Sequence, residues 1–199
     1  MVHGKPFIVV GLDLAGSPRR PTGLCVLRGL KAQPQVVFTD EEILGWIQQT
    51  KPDLVPIDAP LSLPKGRKTI QDRTGEHFRD CDLALRRRGI RFFPITLGPM
   101  RLLTERGLNL KEQIEAMGYR VVECYPGAAQ DIWKLPRQHH DRPGLLAGLQ
   151  KYGVRGLAEP LTGDELDAVT AALVGRWFLL GRGEMLGGEH GILVPRGRR

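Results

Sequence analysis

The sequence predicts an α/β protein with a parallel or mixed central sheet, and three observations predict it. Three strand-like segments crowd the first 38 residues, joined by connections too short for helices. Further on, short apolar runs alternate with stretches of helical periodicity. Three of the apolar runs end in an acid that gives way within two or three residues to glycine or proline: Asp13, Asp58 and Glu123. Strand ends gathered at one edge of a parallel sheet are where such folds place their sites.

The first strand is Phe7 to Val10, continuing into Gly11-Leu12-Asp13. Four consecutive apolar residues fit a strand covered on both faces, and Gly11, Gly16 and Ser17 mark close backbone approach and a turn. A carboxylate at the end of such a strand must be paired, hold a cation, line an open site or cap the turn. SPRRPTG (residues 17–23) is a turn, LCVLRG a second strand, and Gln35 to Phe38 a third. Thr39 or Asp40 caps a helix whose apolar face is Ile43, Leu44, Trp46 and Ile47, ended by Lys51-Pro52. Leu54 to Ile57 then enters Asp58 and the proline-rich loop IDAPLSLP.

The charged interval from Lys65 to Pro94 carries one helix, Gly75 to Arg88, on which Arg79, Asp82 and Arg86 share a face. That face is either solvated and internally ion-paired or directed at the Asp58 loop, where arginines contact phosphate or buttress carboxylates. Phe92 and Phe93 are expected in the core rather than as stacking platforms. Pro99 to Met117 reads as one helix or two, with Gly107 breaking or bending it and Leu102, Leu103, Leu110, Ile114 and Met117 apolar. Tyr119 to Cys124 is a strand, Ala128 to Lys134 a short helical turn, and 135–160 an excursion with a small helix around Leu145 to Tyr152. The helix from Thr162 to Gly181 has a capping box, Thr162 with Glu165, and small residues Ala168, Ala171 and Ala172 that suit close packing on a sheet. Asp164 and Asp167 lie in its first turns, favourable there on dipole grounds alone and also able to point at the strand ends. Gly191 to Pro195 is expected as a short edge strand before a mobile basic tail, 196–199.

With 199 residues, 41% hydrophobic and 26% charged, the chain can bury the core of a single domain. No run approaches the roughly 18 apolar residues of a membrane span, and no signal segment is evident, so a cytoplasmic protein without a membrane partner is expected. Cys25, Cys81 and Cys124 are too scattered for a disulfide framework or a thiolate zinc site. His139 and His140 are adjacent, do not share a helix face and lack a spaced ligand set, which disfavours zinc. A formal charge of +7 is compatible with a polyanionic partner.

The acids Asp13, Asp58, Glu123 and Asp164 or Asp167 sit at three strand ends and one helix start. Like charges held close raise one another's proton affinity, and such a group is stable when a cation sits among it. Carboxylate oxygens suit Mg²⁺ or Mn²⁺, and two ions about 4 Å apart can drive phosphodiester hydrolysis. The expected catalytic set is Asp13, Asp58, Glu123 and Asp167, the metal ligands these with Asp164, and the substrate-binding residues Ser17, Arg79, Arg86 and Arg87.

The motifs GLDLAGS, VPIDAPLSLP, RDCDLALRRRGI, VVECYPG and GDELDAVTAALVG, in this order from Gly11 onward, resemble a bacterial and archaeal family described as predicted nucleases with a ribonuclease H-like fold. The resemblance implies a sheet with its first three strands antiparallel, the later ones parallel and helices on both faces. It implies Asp13 as the central metal-binding acid, Asp58 and Glu123 on later strands, and Asp167 or Asp164 as the helix-borne acid. The expected function is a divalent-metal-dependent nuclease acting on nucleic acid. The alternatives are a non-catalytic nucleic-acid or nucleotide-binding module, whose pocket the IDAPLSLP loop would shape, and an actin-like phosphotransferase. No second phosphate-binding repeat supports the last.

Overall fold

A computed structural model describes residues 5–188 and 190–197. The strands are β1 (Ile8–Asp13), β2 (Thr22–Arg28), β3 (Lys31–Val37), β4 (Val55–Asp58), β5 (Val121–Cys124), β6 (Gly183–Leu186) and β7 (Ile192–Pro195). The helices are α1 (Asp40–Thr50), α2 (Asp80–Arg87), α3 (Gly98–Ala116), α4 (Pro126–Trp133), α5 (Arg142–Lys151) and α6 (Gly163–Leu179). All seven strands form one sheet in the order β3-β2-β1-β4-β5-β7-β6. The first three are antiparallel neighbours, β4, β5 and β7 continue parallel to β1, and β6 returns antiparallel to β7. Gly29, at a φ of 60°, supplies the left-handed turn of the two-residue connection between β2 and β3.

The period of two in β1 divides the core. Ile8, Val10 and Leu12 pack with Ile43 and Ile47 of α1 and Leu110 and Ile114 of α3. Val9, on the opposite face, packs with Cys25, Leu27 and residues of α5 and α6. The sheet therefore carries helices on both faces, as expected. Helix α6 lies almost on the sheet backbone: a Cβ at Gly11 would fall 2.3 Å from the Ala168 carbonyl oxygen, and one at Gly23 would fall 1.9 Å from that of Asp164. Ala168, Ala171 and Ala172 are fully buried at this contact, and the Thr162 capping box starts the helix. Cys25, Cys81 and Cys124 are all free and buried.

Several local expectations are corrected. Helix α3 runs unbroken through Gly107, because the missing side chain serves close approach: a Cβ there would meet Ala59 Cβ at 3.0 Å. Leu102 and Met117 are exposed rather than part of its buried face. The helix anticipated from Gly75 begins only at Asp80, after an irregular segment in which the Arg67 side chain donates to the carbonyls of Asp72 and Glu76. Strand β7 is interior, since the unforeseen β6 pairs outside it. The four residues of β6, GEML, are too few and too mixed to show alternation. Phe93 is 72% exposed, not core, while Phe92 is half-buried edge-on to Phe78. Helix α5, capped by Asp141, packs into the same core as α6. Of the basic tail, Arg198 and Arg199 lie outside the described residues, and the Arg196 N–H donates to the Arg182 carbonyl. Among the described residues no helix is long and apolar enough to cross a membrane.

Candidate carboxylate site

Asp13 and Asp58 end adjacent parallel strands and are direct register partners. Partners in a sheet share a face, and this row faces α6: Gly11 packs on Ala168 and Ala172, and Pro56 packs on Gly175. The first turns of α6 bring Asp167 and Asp164 to the same place, and both charges reach Asp13. Burial pushes the Asp13 carboxyl well above the usual range, and Asp58, Asp167 and Asp164 push it further. Asp58 is raised by burial and then by Asp167 and Glu123, partly offset by Arg137. Among the described residues no hydrogen-bond donor opposes the rise at either residue.

Asp167 is held differently. Burial lifts its carboxyl from 3.8 to about 6, while the Gln130 side-chain amide donates to its Oδ1 at 2.6 Å and restrains the rise. Gln130 is itself buried on α4 and also donates to Thr170 Oγ1. Asp164 is half-buried, raised by burial and lowered by the facing Arg20.

Glu123 stands apart from the other acids. Its register partner is Ile57 rather than Asp58, and Ile57 in turn pairs with Leu12. Glu123 therefore belongs to the α1 and α3 face, and the place beside Asp58 in the acidic row falls to Cys124, whose thiol burial and Asp58 hold well above its ordinary range. The Glu123 carboxylate accepts the Leu61 N–H at 2.7 Å and both terminal nitrogens of Arg79, at 2.6 and 2.9 Å. Arg79, at the N-terminus of α2, also donates to Asp82 at 2.8 and 3.1 Å. Burial opposes the Arg79 charge, and Glu123 and Asp82 more than offset it. The ion pair thus ties β5, α2 and the loop after Asp58 together, and the Arg79 guanidinium is occupied by carboxylates rather than presented to phosphate.

Asp13 and Asp58 line a cleft of about 220 Å³ whose other walls include Arg79, Glu123 and Tyr125. Asp13 also borders a second cleft, of about 340 Å³, with Ser17, Arg20 and Asp164. Arg106 braces the loop between them, donating to the Ala15 and Phe38 carbonyls and pairing with Asp40. Arg86 and Arg87 are exposed on the last turn of α2, and Arg86 borders a neighbouring groove rather than the acids. Among the described residues no three Asp, Glu, His or Cys side chains are grouped so that they could hold a metal ion. The donor chemistry of Asp13, Asp58 and Asp167 nevertheless suits a hard divalent cation.

Sequence reasoning missed Gln130, Arg137 and Arg20. Arg137 lies over the Tyr125 ring, donates to its hydroxyl at 2.9 Å and pairs with Asp131. The one signal for it was Gly127, where a Cβ would fall 2.9 Å from the Arg137 guanidinium. Gln130, one polar residue in an apolar turn, gave none.

The profile of the family "Protein of unknown function (DUF429)" matches residues 11–190. No curated protein matches the chain significantly. Among solved structures, "T. thermophilus RuvC in complex with Holliday junction substrate" aligns with a TM-score of 0.51 at 16% identity, over 87% of this chain and 96% of that one. "Thermus thermophilus RuvC structure" aligns with a TM-score of 0.50 at 15% identity, over the same shares. At such identities the likeness is one of fold, and it is the ribonuclease H-like fold that the motifs implied. The chain belongs to the DUF429 family and has a ribonuclease H-like fold.

Proposed function

We propose that the protein hydrolyses phosphodiester bonds in nucleic acid with Mg²⁺ or Mn²⁺ held at Asp13. The observation that carries this reading is the Asp13–Asp58 row facing Asp167, in which burial, and after it the neighbouring acids, raise the proton affinity of both carboxylates. A structural aspartate would find a donor or a counter-ion, whereas a pair left facing a cleft fits a cation. A bound divalent cation would activate water and stabilise the leaving oxygen.

Asp13 and Asp58 would hold that charge, with Asp164 or Asp167 completing the set from α6. Where Asp164 completes the set, Asp167, with one oxygen fixed by Gln130, would be left to accept a proton from the attacking water. Arg20 and Arg137 bring positive charge to the two ends of the acidic row. Arg79 and Glu123 shape the cleft wall by fixing the Leu61 backbone. A nucleic-acid substrate is supported by the chain's +7 charge and by its fold likeness to a RuvC described with a Holliday junction substrate.

A second reading, a non-catalytic nucleic-acid-binding module, is favoured by the absence of a preformed metal-holding group among the described residues. The two separate on one set of measurements: calorimetric Mn²⁺ binding and cleavage of single-stranded, duplex and branched substrates by the wild type and Asp13→Asn. Metal binding and cleavage that Asp13→Asn removes support the nuclease. Nucleic-acid binding that needs no metal and survives the substitution, without cleavage, supports the module.

A further inference from the structure

We propose that the groove beside the carboxylate cleft seats an unpaired stretch of nucleic acid, with a base stacked on Phe93; this rests on the nucleic-acid reading above for its class of ligand. The groove, of about 800 Å³, shares Phe92, Phe93 and Tyr125 with the cleft that holds Asp13 and Asp58, so a strand lying in it leads to the acids. Phe93 is 72% exposed, the most exposed large apolar side chain among the described residues.

The loop that carries it is anchored at the two residues just before the ring. The Tyr125 hydroxyl donates to the Arg91 carbonyl at 2.8 Å, and the Phe92 ring meets Phe78 edge-on at 5.9 Å. A fixed loop presenting a free ring is a stacking platform, and stacking requires a base whose own faces are uncovered.

The charge around the ring selects the ligand. Arg86, Arg91 and Arg137 line the groove with Phe93, and among the described residues no Asp or Glu does. Arg86 and Arg91 are exposed. An apolar ring among arginines, with no acid to complement a basic partner, matches phosphates spaced along a strand between stackable bases. A duplex hides its base faces except at its ends, so unpaired strand is the form that fits.

The test uses the whole wild-type chain in EDTA, so that binding is read without cleavage, and fluorescence anisotropy with a labelled mixed-sequence oligonucleotide and its blunt duplex. The single strand is expected to bind more tightly than the duplex. Phe93→Ala should weaken single-strand binding by about 5- to 150-fold without altering its salt dependence. Phe93→Trp should retain binding, with its fluorescence quenched by the oligonucleotide. Arg86→Ala and Arg91→Ala should each reduce the slope of log K against log salt by about 0.7. Wild-type binding that Phe93→Ala leaves unchanged, or a preference for duplex, overturns the stacking assignment and leaves the nuclease reading standing. No binding of either form by the wild type overturns both.

Discussion

Replacing Asp167 by asparagine should stabilise the apo-protein, and only above acidic pH. The folded chain holds the Asp167 proton more tightly than the unfolded chain does, because burial lifts the carboxyl from 3.8 to about 6. Its effect on stability is therefore absent below about pH 3.8 and grows as pH rises, until ionisation in the folded state is complete above about pH 6. A displacement from 3.8 to about 6 corresponds to a loss of about 3 kcal/mol at pH 7. Asparagine keeps the size and an amide oxygen for the Gln130 donor, and removes the charge. Urea unfolding of wild type and Asp167→Asn in EDTA should show a gain of about 1 to 3 kcal/mol at pH 7, shrinking below about 1 kcal/mol at pH 4. Asp13 and Asp58 are displaced in the same direction, so the wild-type curve also falls with pH, and the difference between the chains reports Asp167 together with the rise its charge imposes on those two. A gain that persists unchanged at pH 4, or no gain at pH 7, would refute the electrostatic account of this edge.

Arg79→Ala should cost about 3 to 5 kcal/mol in chemical denaturation, since it strands Glu123 and Asp82 buried without a counter-charge; a loss near zero would show that water reaches both. Gly23→Ala should destabilise by at least about 1 to 3 kcal/mol, because its methyl would enter the backbone of α6 at Asp164. Gly45→Ala, exposed in α1 with nothing within 4 Å, should instead raise the melting temperature through a gain of about 0.5 to 1 kcal/mol. Thr162→Ala should cost about 1 kcal/mol by removing the α6 capping box, readable as a lowered urea midpoint with unchanged slope.

Most of the fold was legible because its signals are local. Apolar runs halted by an acid and a turn marked β1, β4 and β5, and the three alanines of α6 announced a helix pressed onto a sheet, with Gly11 and Gly23 as the unseen other half of that contact. Asp13, Asp58 and Asp167 could be named because a strand-end or first-turn acid is visible in one dimension. Gln130 and Arg137 could not, since their meaning lies in what the α4 segment and the residues after it fold against. Phe93 was misplaced for the same reason: in FFP two adjacent rings look equally buriable, and only the anchoring of Phe92 against Phe78 decides which one faces out.

Glu123 shows how a local signal can be right about position and incomplete about role. Its strand ends in the same way as those of Asp13 and Asp58, yet side chains alternate along a strand, so a one-residue offset in register changes the face on which an acid emerges. Because Glu123 pairs with Ile57, it emerges among the groups that fix the loop after Asp58, where a lone buried carboxylate needs a cation of its own. Arg79 meets that need with both terminal nitrogens. Asp13 and Asp58, on the other face, have no such arginine among the described residues, and burial together with neighbouring acids keeps their proton affinity raised. The fold thus neutralises one strand-end acid internally and leaves two exposed to the cleft, and it is this difference in counter-charge, rather than the number of acids, that separates a brace from a candidate metal ligand.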